Sequence, residues 1–164
     1  MIKYCLWKWE AGKEALRKAL RTAKGLDTCG YKKLVELVVE HILNATPNKD
    51  DNKNYDPNYD MPWDKESITV IDNGDYQGTL LFLIPRQIYQ PACDDYLMSY
   101  VYYGSCSVCD TLQAVQGLAD SDTGLLTSKQ VDDYMIICEH IVNNMTKPYN
   151  YGWRHDDWYD VRED

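Results

Sequence analysis

The sequence predicts an α+β fold in which two N-terminal and two C-terminal helices pack on a small, mostly antiparallel sheet of three or four strands. Apolar residues recur at helical spacing near both ends of the chain, over residues 10–44 and 127–148. Between them lie β-branched and aromatic runs separated by turn residues, a pattern typical of antiparallel strands. With 164 residues, of which 45% are hydrophobic, the chain is expected to form a single domain over residues 1–164.

The two N-terminal helices are predicted from their apolar stripes. The first covers residues 10–24, where Leu16 and Leu20 mark a stripe that Lys and Arg side chains surround. The second runs from about residue 31 to 44, after a turn at Gly30. Its buried face is expected to hold Leu34, Val38, His41, Ile42 and Ala45.

The middle of the chain is predicted to start the sheet. Residues 46–62 are dominated by Asn, Asp and Pro, so they are expected to form a loop or a partly disordered link. Strands over residues 67–71 and 76–84 follow. Asn73 and Gly74 lie between these strands and predict a two-residue hairpin turn with positive φ at both positions.

The C-terminal third is predicted to complete the sheet and add two helices. A strand over residues 96–103 is expected to pair antiparallel with its neighbour, and a short helix follows it. The last helix begins at a capping box formed by Thr127 and Gln130 and ends before Pro148. Residues 149–164 mix aromatic and acidic side chains and are expected to form a tail. The buried face of the last helix is expected to hold Val131, Tyr134, Met135, Cys138, Ile141, Val142 and Met145.

Two cysteines, Cys106 and Cys109, are spaced C-x-x-C just after Gly104. Such a pair is typical of a redox site, of half a zinc site, or of two small residues that pack where a helix meets a sheet. A zinc site would need further ligands, for which the candidates are Cys93 and either Cys138 or His140. No other cofactor is predicted.

The redox interpretation depends on where the pair lies relative to the next helix. If Ser107 caps that helix, Cys109 falls in its first turn, where the helix dipole favours a thiolate. Asp110 and the antiparallel strands before the pair argue against a redox role. We therefore expect the two cysteines to be packing residues, with zinc binding and redox chemistry as alternatives.

The net charge of −9 is unevenly distributed along the chain. Residues 1–33 hold nine Lys and Arg and three Asp and Glu, a net of +6, whereas residues 34–164 hold eight and twenty-three, a net of −15. An acidic body repels nucleic acid and favours basic protein partners, including proteins that bind nucleic acid. The basic first helix is expected to dock on that body, to bind another molecule or to form a solvated face.

Tyrosine is far more frequent than phenylalanine, with fourteen residues against one. This bias suits a chain that presents aromatic surface to a partner, although tyrosine also replaces phenylalanine in a thin core. The candidate binding residues are the carboxylates and aromatic side chains of the hairpin, the third strand and the tail. They are Asp72, Asp75, Tyr100, Tyr102, Tyr103, Trp153, Asp156, Asp157 and Trp158.

Several classes of function are disfavoured by what the sequence lacks. It contains no glycine-rich phosphate loop, H-E-x-x-H metal motif or G-x-S-x-G nucleophile elbow, so it favours a binding protein over an enzyme. The longest apolar run, residues 79–84, is too short to cross a membrane, and no signal peptide is recognisable. We therefore expect a cytoplasmic protein with reduced cysteines and no membrane partner.

Two segments of the chain resemble small uncharacterised proteins encoded by tailed phages and prophages of Gram-positive bacteria. They are residues 70–84, Val-Ile-Asp-Asn-Gly-Asp-Tyr-Gln-Gly-Thr-Leu-Leu-Phe-Leu-Ile, and residues 100–113, Tyr-Val-Tyr-Tyr-Gly-Ser-Cys-Ser-Val-Cys-Asp-Thr-Leu-Gln. The resemblance extends through residues 130–134 to 149–153, about two thirds of the chain. It implies a viral protein that acts in the cytoplasm of a bacterial host cell, in a class rich in small acidic inhibitors of host enzymes and defence systems.

One leading hypothesis and two alternatives follow from these observations. In the leading hypothesis, an acidic, tyrosine-rich surface binds a basic host protein and inhibits a nucleic-acid enzyme or a defence system. In the first alternative, the protein is a metal-binding or thiol-redox protein centred on Cys106 and Cys109. In the second, it is a structural or assembly protein of the virion.

Overall fold

The computed structural model describes residues 2–46, 60–106, 108–116 and 124–148. Within these ranges it contains a three-stranded antiparallel sheet and four α-helices, which confirms the predicted α+β class. The predicted link at 46–62 and tail at 149–164 fall largely outside these ranges. The elements are α1 (Ile2–Thr22), α2 (Tyr31–Val38), β1 (Thr69–Gly74), β2 (Gly78–Pro85), β3 (Tyr96–Tyr103), α3 (Thr111–Gln116) and α4 (Ser128–Asn143).

Helix α1 begins eight residues before its predicted start. Cys5 and Trp9 are buried and extend the stripe of Leu16 and Leu20 toward the N-terminus at helical spacing. Lys8 interrupts this stripe with a charge, which is why the sequence pattern starts only at residue 10. Lys8 is nevertheless buried, since it has an acidic partner from another part of the chain.

Helix α2 passes into a π-helical turn, Val39–Leu43, closed by a hydrogen bond from Asn44 N–H to the Val39 carbonyl oxygen at 3.0 Å. A π-helical turn holds one residue more than an α-helical turn, so it rotates the following side chains relative to the helical stripe. The apolar side chains of the turn are buried, whereas His41 and Ala45 are partly exposed. The predicted burial of His41 and Ala45 is wrong for this reason.

Helix α1 crosses the π-helical turn at Gly12, where there is no room for a side chain. A methyl group on Gly12 would lie 2.0 Å from the His41 carbonyl oxygen and 3.0 Å from the Ile42 Cα atom. The backbones of the two helices therefore touch at this crossing. Glycine is required at this position for close approach.

The sheet has the strand order β1-β2-β3, and both strand pairs are antiparallel. The predicted two-residue turn is wrong, because Asn73 and Gly74 continue β1 and pair with Thr79 and Gly78. Residues 75–77 form the turn of the hairpin instead. A methyl group on Gly74 would lie 2.7 Å from the Gly78 Cα atom, so the glycines permit a close approach of two strands and do not supply positive φ.

Helix α4 confirms both its predicted start and its predicted buried face. The Thr127 side chain accepts from Gln130 N–H at 3.2 Å, and the Gln130 side chain accepts from Thr127 N–H at 2.9 Å. All seven residues of the predicted stripe are buried. The Ser99 hydroxyl of β3 donates to the Ile141 carbonyl oxygen at 2.7 Å, which joins α4 to the sheet.

A buried ion cluster joins α1 to three other parts of the chain. Lys8 Nζ lies 2.5 Å from Asp60 Oδ2 and donates to the Ala45 carbonyl oxygen at 2.8 Å. Asp60 Oδ1 also accepts from the Tyr4 hydroxyl at 3.1 Å and from the Arg86 guanidinium at 3.0 Å. One carboxylate therefore connects α1 with the segment before β1 and the end of β2.

Burial and charge act in opposite directions on the pKa values of this cluster. Burial lowers the pKa of Lys8 by more than its bond to Asp60 raises it. Burial alone would raise the pKa of Asp60, but the hydrogen bonds and charges of Lys8 and Arg86 together outweigh it and lower this pKa. The folded protein therefore favours the ionised carboxylate.

Replacing Gly12 with alanine is expected to lower the free energy of unfolding by about 1–3 kcal/mol, because the methyl group overlaps the His41 carbonyl oxygen. The higher helix propensity of alanine acts in the opposite direction, by about 1 kcal/mol. Urea unfolding measures the difference, with the neighbouring exposed substitution Ala11→Ser as the control. A Gly12→Ala variant that is about 1 kcal/mol more stable than the wild type, the full gain in helix propensity, would show that the two helices do not touch there.

Replacing Asp60 with asparagine is expected to lower the free energy of unfolding by about 3–5 kcal/mol at pH 7, because the buried Lys8 charge loses its carboxylate. The folded pKa of Asp60 lies below its unfolded value of about 3.9. This contribution is therefore present above pH 4 and is lost as the pH falls through the folded pKa. Urea titrations of wild type and variant at pH 7 and pH 3 measure the change.

The exposed ion pair of Glu40 with Lys65 provides the matched control for that experiment. Their charged atoms lie 2.6 Å apart but both side chains are exposed to solvent, so Glu40→Gln is expected to cost less than about 1 kcal/mol. Equal losses for Glu40→Gln and Asp60→Asn at pH 7 would contradict the assignment of Asp60 as a buried partner.

Candidate functional site

The sheet turns one face toward the helices and the other face away from them. Side chains alternate between the two faces along each strand, and Leu80, Phe82 and Ile84 of β2 pack in the core. We call the face that points away from the helices the open face. Its apolar and aromatic centre consists of Ile71, Leu81, Leu83, Met98, Tyr100 and Tyr102, and Thr69, Asn73, Thr79 and Tyr96 also lie on this face.

The strand register brings the side chains of the open face together in rows. Ile71 of β1 lies opposite Leu81 of β2, which in turn lies opposite Tyr100 of β3. The rings of Tyr100 and Tyr102 meet edge to face with their centroids 5.6 Å apart. Ile71 is 46% exposed and Tyr102 is 72% exposed, so the open face is an apolar and aromatic patch at the surface.

Two of the predicted binding residues lie on the opposite side of the sheet. Tyr103 is on the helix-facing side of β3, and its hydroxyl donates to Asp72 Oδ1 of β1 at 2.7 Å. This hydrogen bond to Asp72 is the main cause that raises the pKa of Tyr103. The structure therefore separates Asp72 and Tyr103 from the predicted residues Tyr100 and Tyr102.

Carboxylates lie at both ends of the open face. Asp75 is exposed in the hairpin turn at one end, and Asp94 is exposed in the short 3-10 turn before β3 at the other end. This arrangement places one carboxylate at each end of the strands, and at the Asp94 end Lys147 Nζ donates to the Asp94 carbonyl oxygen at 2.8 Å. The remaining predicted residues, Trp153, Asp156, Asp157 and Trp158, lie outside the described residues.

Sequence reasoning missed the aliphatic half of the open face because it assigned the wrong hairpin register. A two-residue turn at Asn73 and Gly74 would place Asp72 opposite Asp75, whereas Asp72 pairs with Leu80, five residues further along the chain. A shift by an odd number of residues exchanges the two faces of a strand. The alternation of apolar residues was visible in the sequence, but the register was not.

The basic charge of α1 is partly matched by acidic side chains. Lys8 binds Asp60, and Arg17 forms an ion pair with Asp132 of α4. Lys8 and Arg17 therefore join α1 to acidic residues elsewhere in the domain. Three roles were expected for the basic helix. These two side chains fit the first of them, docking on the acidic body.

Cys106 and Cys109 lie in a turn between β3 and α3, not in the first turn of a helix. The Cys106 carbonyl oxygen accepts from the N–H groups of Cys109 and Asp110, both at 2.9 Å, and α3 begins only at Thr111. The predicted cap, Ser107, lies outside the described residues. Both thiols are exposed to solvent, so the packing interpretation is wrong.

The two thiols are close enough to affect each other. Their sulfur atoms lie 3.2 Å apart. The contact with the Cys109 thiol is the main cause that lowers the pKa of Cys106, and the N–H groups of Val108 and Cys109 add to it. The same contact raises the pKa of Cys109. Cys106 is therefore the more acidic thiol, whereas the redox interpretation of the sequence placed the thiolate at Cys109.

The cysteine turn is anchored in the protein by the buried carboxylate of Asp110. Oδ1 accepts from the Tyr31 hydroxyl at 3.2 Å and from Gln113 N–H at 3.0 Å, and Oδ2 accepts from Gly104 N–H at 3.1 Å. A methyl group on Gly104 would lie 2.3 Å from the Cys109 Cβ atom, so glycine allows the chain to fold back here. Asp110 thus fixes the turn from the buried side, while the thiols stay at the surface.

The predicted zinc ligands are not brought together. In the described ranges, no group of three or more His, Cys, Asp or Glu side chains is arranged to bind a metal. Cys138 is buried in the apolar stripe of α4, and burial raises its pKa to about 12. Cys93 is exposed in the turn before β3. Neither residue completes a zinc site with Cys106 and Cys109 in the part of the chain that the structure describes.

No protein-family model, curated protein or solved structure matches this chain. Among the described residues, no helix combines the length and the apolar character needed to span a membrane. A function must therefore be argued from the open face and the cysteine turn themselves.

Replacing Asp110 with asparagine is expected to lower the free energy of unfolding by about 1–3 kcal/mol, because an amide NH2 group replaces one of two oxygens that face buried donors. Tyr31→Phe removes only one of these donors and is expected to cost less. Asp132→Asn, at an exposed ion pair, serves as the control, with a loss below about 1 kcal/mol. Urea unfolding ranks the variants, and a larger loss for Asp132→Asn than for Asp110→Asn would contradict the anchoring role.

Proposed function

We propose that this protein acts by protein–protein binding and that the open face is its contact surface for a basic protein. One observation carries the proposal: an apolar, aromatic patch is exposed on a sheet whose other face packs in the core. Exposed apolar patches of this kind often mark interaction sites. Aromatic anchors at the centre of a patch with a polar border are typical of protein interfaces.

The charge of the chain indicates which kind of partner the open face would bind. The chain has a net charge of −9, and Asp75 and Asp94 place carboxylates at the two ends of the open face. These charges disfavour nucleic acid and acidic proteins as ligands and favour a basic surface. Tyr100 and Tyr102 would supply the buried anchors, with the carboxylates at the border.

A protein that binds nucleic acid is the proposed basic partner. Such proteins present Lys and Arg side chains to the phosphate backbone, and carboxylates at the border of the open face would occupy the positions of phosphates. Binding there would exclude nucleic acid and so inhibit a host enzyme or a defence protein. The resemblance to proteins of tailed phages supports the cytoplasm of a bacterial host cell as the place of action.

Photo-crosslinking from the open face tests this proposal. A photo-crosslinking amino acid in place of Tyr102 is expected to capture a basic, nucleic-acid-binding protein in Gram-positive cells that express the chain. The same amino acid in place of Ile136, an exposed residue of α4 on the other side of the molecule, is the control and is expected not to capture it. Mass spectrometry identifies the captured protein, which is then purified.

Calorimetry with the purified partner decides between the hypotheses. Tyr102→Ala is expected to weaken binding by about tenfold or more, and Ile136→Ala is expected to leave it unchanged. Raising the salt from 50 to 300 mM is expected to weaken binding by a further factor of about ten. Binding that is independent of salt, or a partner that is a component of the virion, would contradict the inhibitor proposal.

A further inference from the structure

The cysteine turn has a geometry that the binding function does not use. Cys106 and Cys109 are both exposed, and their sulfur atoms are 3.2 Å apart. A disulfide bond requires a sulfur–sulfur distance of about 2.05 Å, so the two atoms need to approach by only about 1.2 Å. The Cys106 carbonyl oxygen also accepts from Cys109 N–H at 2.9 Å, which holds the two residues close together.

We propose that Cys106 and Cys109 form a reactive dithiol that reduces low-molecular-weight disulfides and is itself converted into an intramolecular disulfide. This activity is separate from binding at the open face. It assigns different tasks to the two cysteines, with Cys106 as the attacking thiol and Cys109 as the resolving thiol.

The reaction consists of two thiol–disulfide exchanges. The Cys106 thiolate attacks one sulfur of a small disulfide RSSR, the sulfur–sulfur bond of RSSR breaks, and RS⁻ leaves and takes up a proton from solvent. Cys109 then loses its proton to solvent and attacks the Cys106 sulfur, which releases the second RS⁻. Two electrons pass from the cysteine pair to RSSR, and the products are the Cys106–Cys109 disulfide and two RSH molecules.

The surroundings of Cys106 fit the role of the attacking thiol. The contact with the Cys109 thiol and the N–H groups of Val108 and Cys109 lower the Cys106 pKa, and so increase the fraction of the nucleophilic thiolate at neutral pH. Cys109 is held within reach for the second exchange because Asp110 binds Gly104 N–H and Gln113 N–H on either side of the turn.

Two of the other cysteines are unsuited to this chemistry. Cys5 and Cys138 are buried, and burial raises the pKa of Cys5 to about 11 and that of Cys138 to about 12. Cys93 is exposed, so it is the relevant control for an accessible thiol elsewhere on the surface. Cys29 is only partly exposed. The proposal predicts selective oxidation of Cys106 and Cys109 among the six thiols.

Equilibration of the full-length, reduced wild-type protein with oxidised and reduced glutathione at pH 7 tests the proposal. After an acid quench, the remaining free thiols are alkylated and the intact mass is measured. The expected result is the joint loss of two free thiols and two hydrogen masses, which peptide mapping assigns to Cys106 and Cys109. Six free thiols in oxidised glutathione alone, or a disulfide that includes Cys93, would overturn the proposal.

Single variants test the order of the two exchanges. Cys109→Ser is expected to stop at a mixed disulfide between glutathione and Cys106. Cys106→Ser is expected to form its adduct at Cys109 about tenfold more slowly, because the N–H groups of Val108 and Cys109 lower the pKa of Cys106 but not that of Cys109. Similar rates for the two variants would contradict the assigned roles. Thermal unfolding of both variants checks that the fold is intact.

The pH dependence of alkylation separates this role from a merely structural one. Serine at position 109 retains a hydroxyl that donates to Cys106, whereas alanine does not. The pH of half-maximal alkylation of Cys106 by iodoacetamide is therefore expected to be higher in Cys109→Ala than in Cys109→Ser. An identical pH profile for the two variants would exclude Cys109 as the group that activates Cys106.

Discussion

The ion pair of Lys8 with Asp60 is the constraint that fixes how the helices sit on the sheet. A buried ammonium group is costly unless its charge and its donors are matched, and Lys8 meets a carboxylate oxygen and a backbone carbonyl. The same carboxylate binds Arg86 at the end of β2, so α1 and the sheet must reach it together. Apolar burial is non-directional and would tolerate several positions of α1. The backbone contact at Gly12 then leaves α1 little freedom to slide along the π-helical turn.

Local signals explain which parts of the fold could be predicted from the sequence. The capping box at Thr127 and the apolar stripe behind it specify α4 without help from the rest of the chain. The start of α1 could not be found in this way, because Lys8 is buried only through a partner 52 residues away. The position of the hairpin turn was predicted wrongly for a related reason. Asn73 and Gly74 are a strong local turn signal, but two further strand pairs up to Gly74 and Gly78 outweigh it.

The candidate site was only half visible in the sequence, again because exposure and register are long-range properties. Tyr100 and Tyr102 share a face by simple alternation, but Ile71 joins them only through the true register of the hairpin. The C-x-x-C spacing could be read from the sequence, but the sequence did not show that both cysteines precede α3. The start of α3 depends on Asp110, which a hydroxyl 79 residues away holds in place. This shift moves the cysteines out of the helix, and the contact between their thiols lowers the pKa of Cys106 in place of Cys109.

Strand β3 supports both candidate sites and also separates them. Its inward residues, such as Ser99, bind the helices, while Tyr100 and Tyr102 point outward on a backbone that β2 holds along its whole length. Aromatic side chains on such a strand lose little conformational freedom on binding, so the open face is pre-organised. The cysteine turn begins beyond Gly104, whose N–H is tied to the buried carboxylate. Oxidation of the two thiols therefore moves atoms on the far side of this anchor. We therefore expect the open face to keep its shape in either redox state, so that the proposed binding would not depend on reduced cysteines.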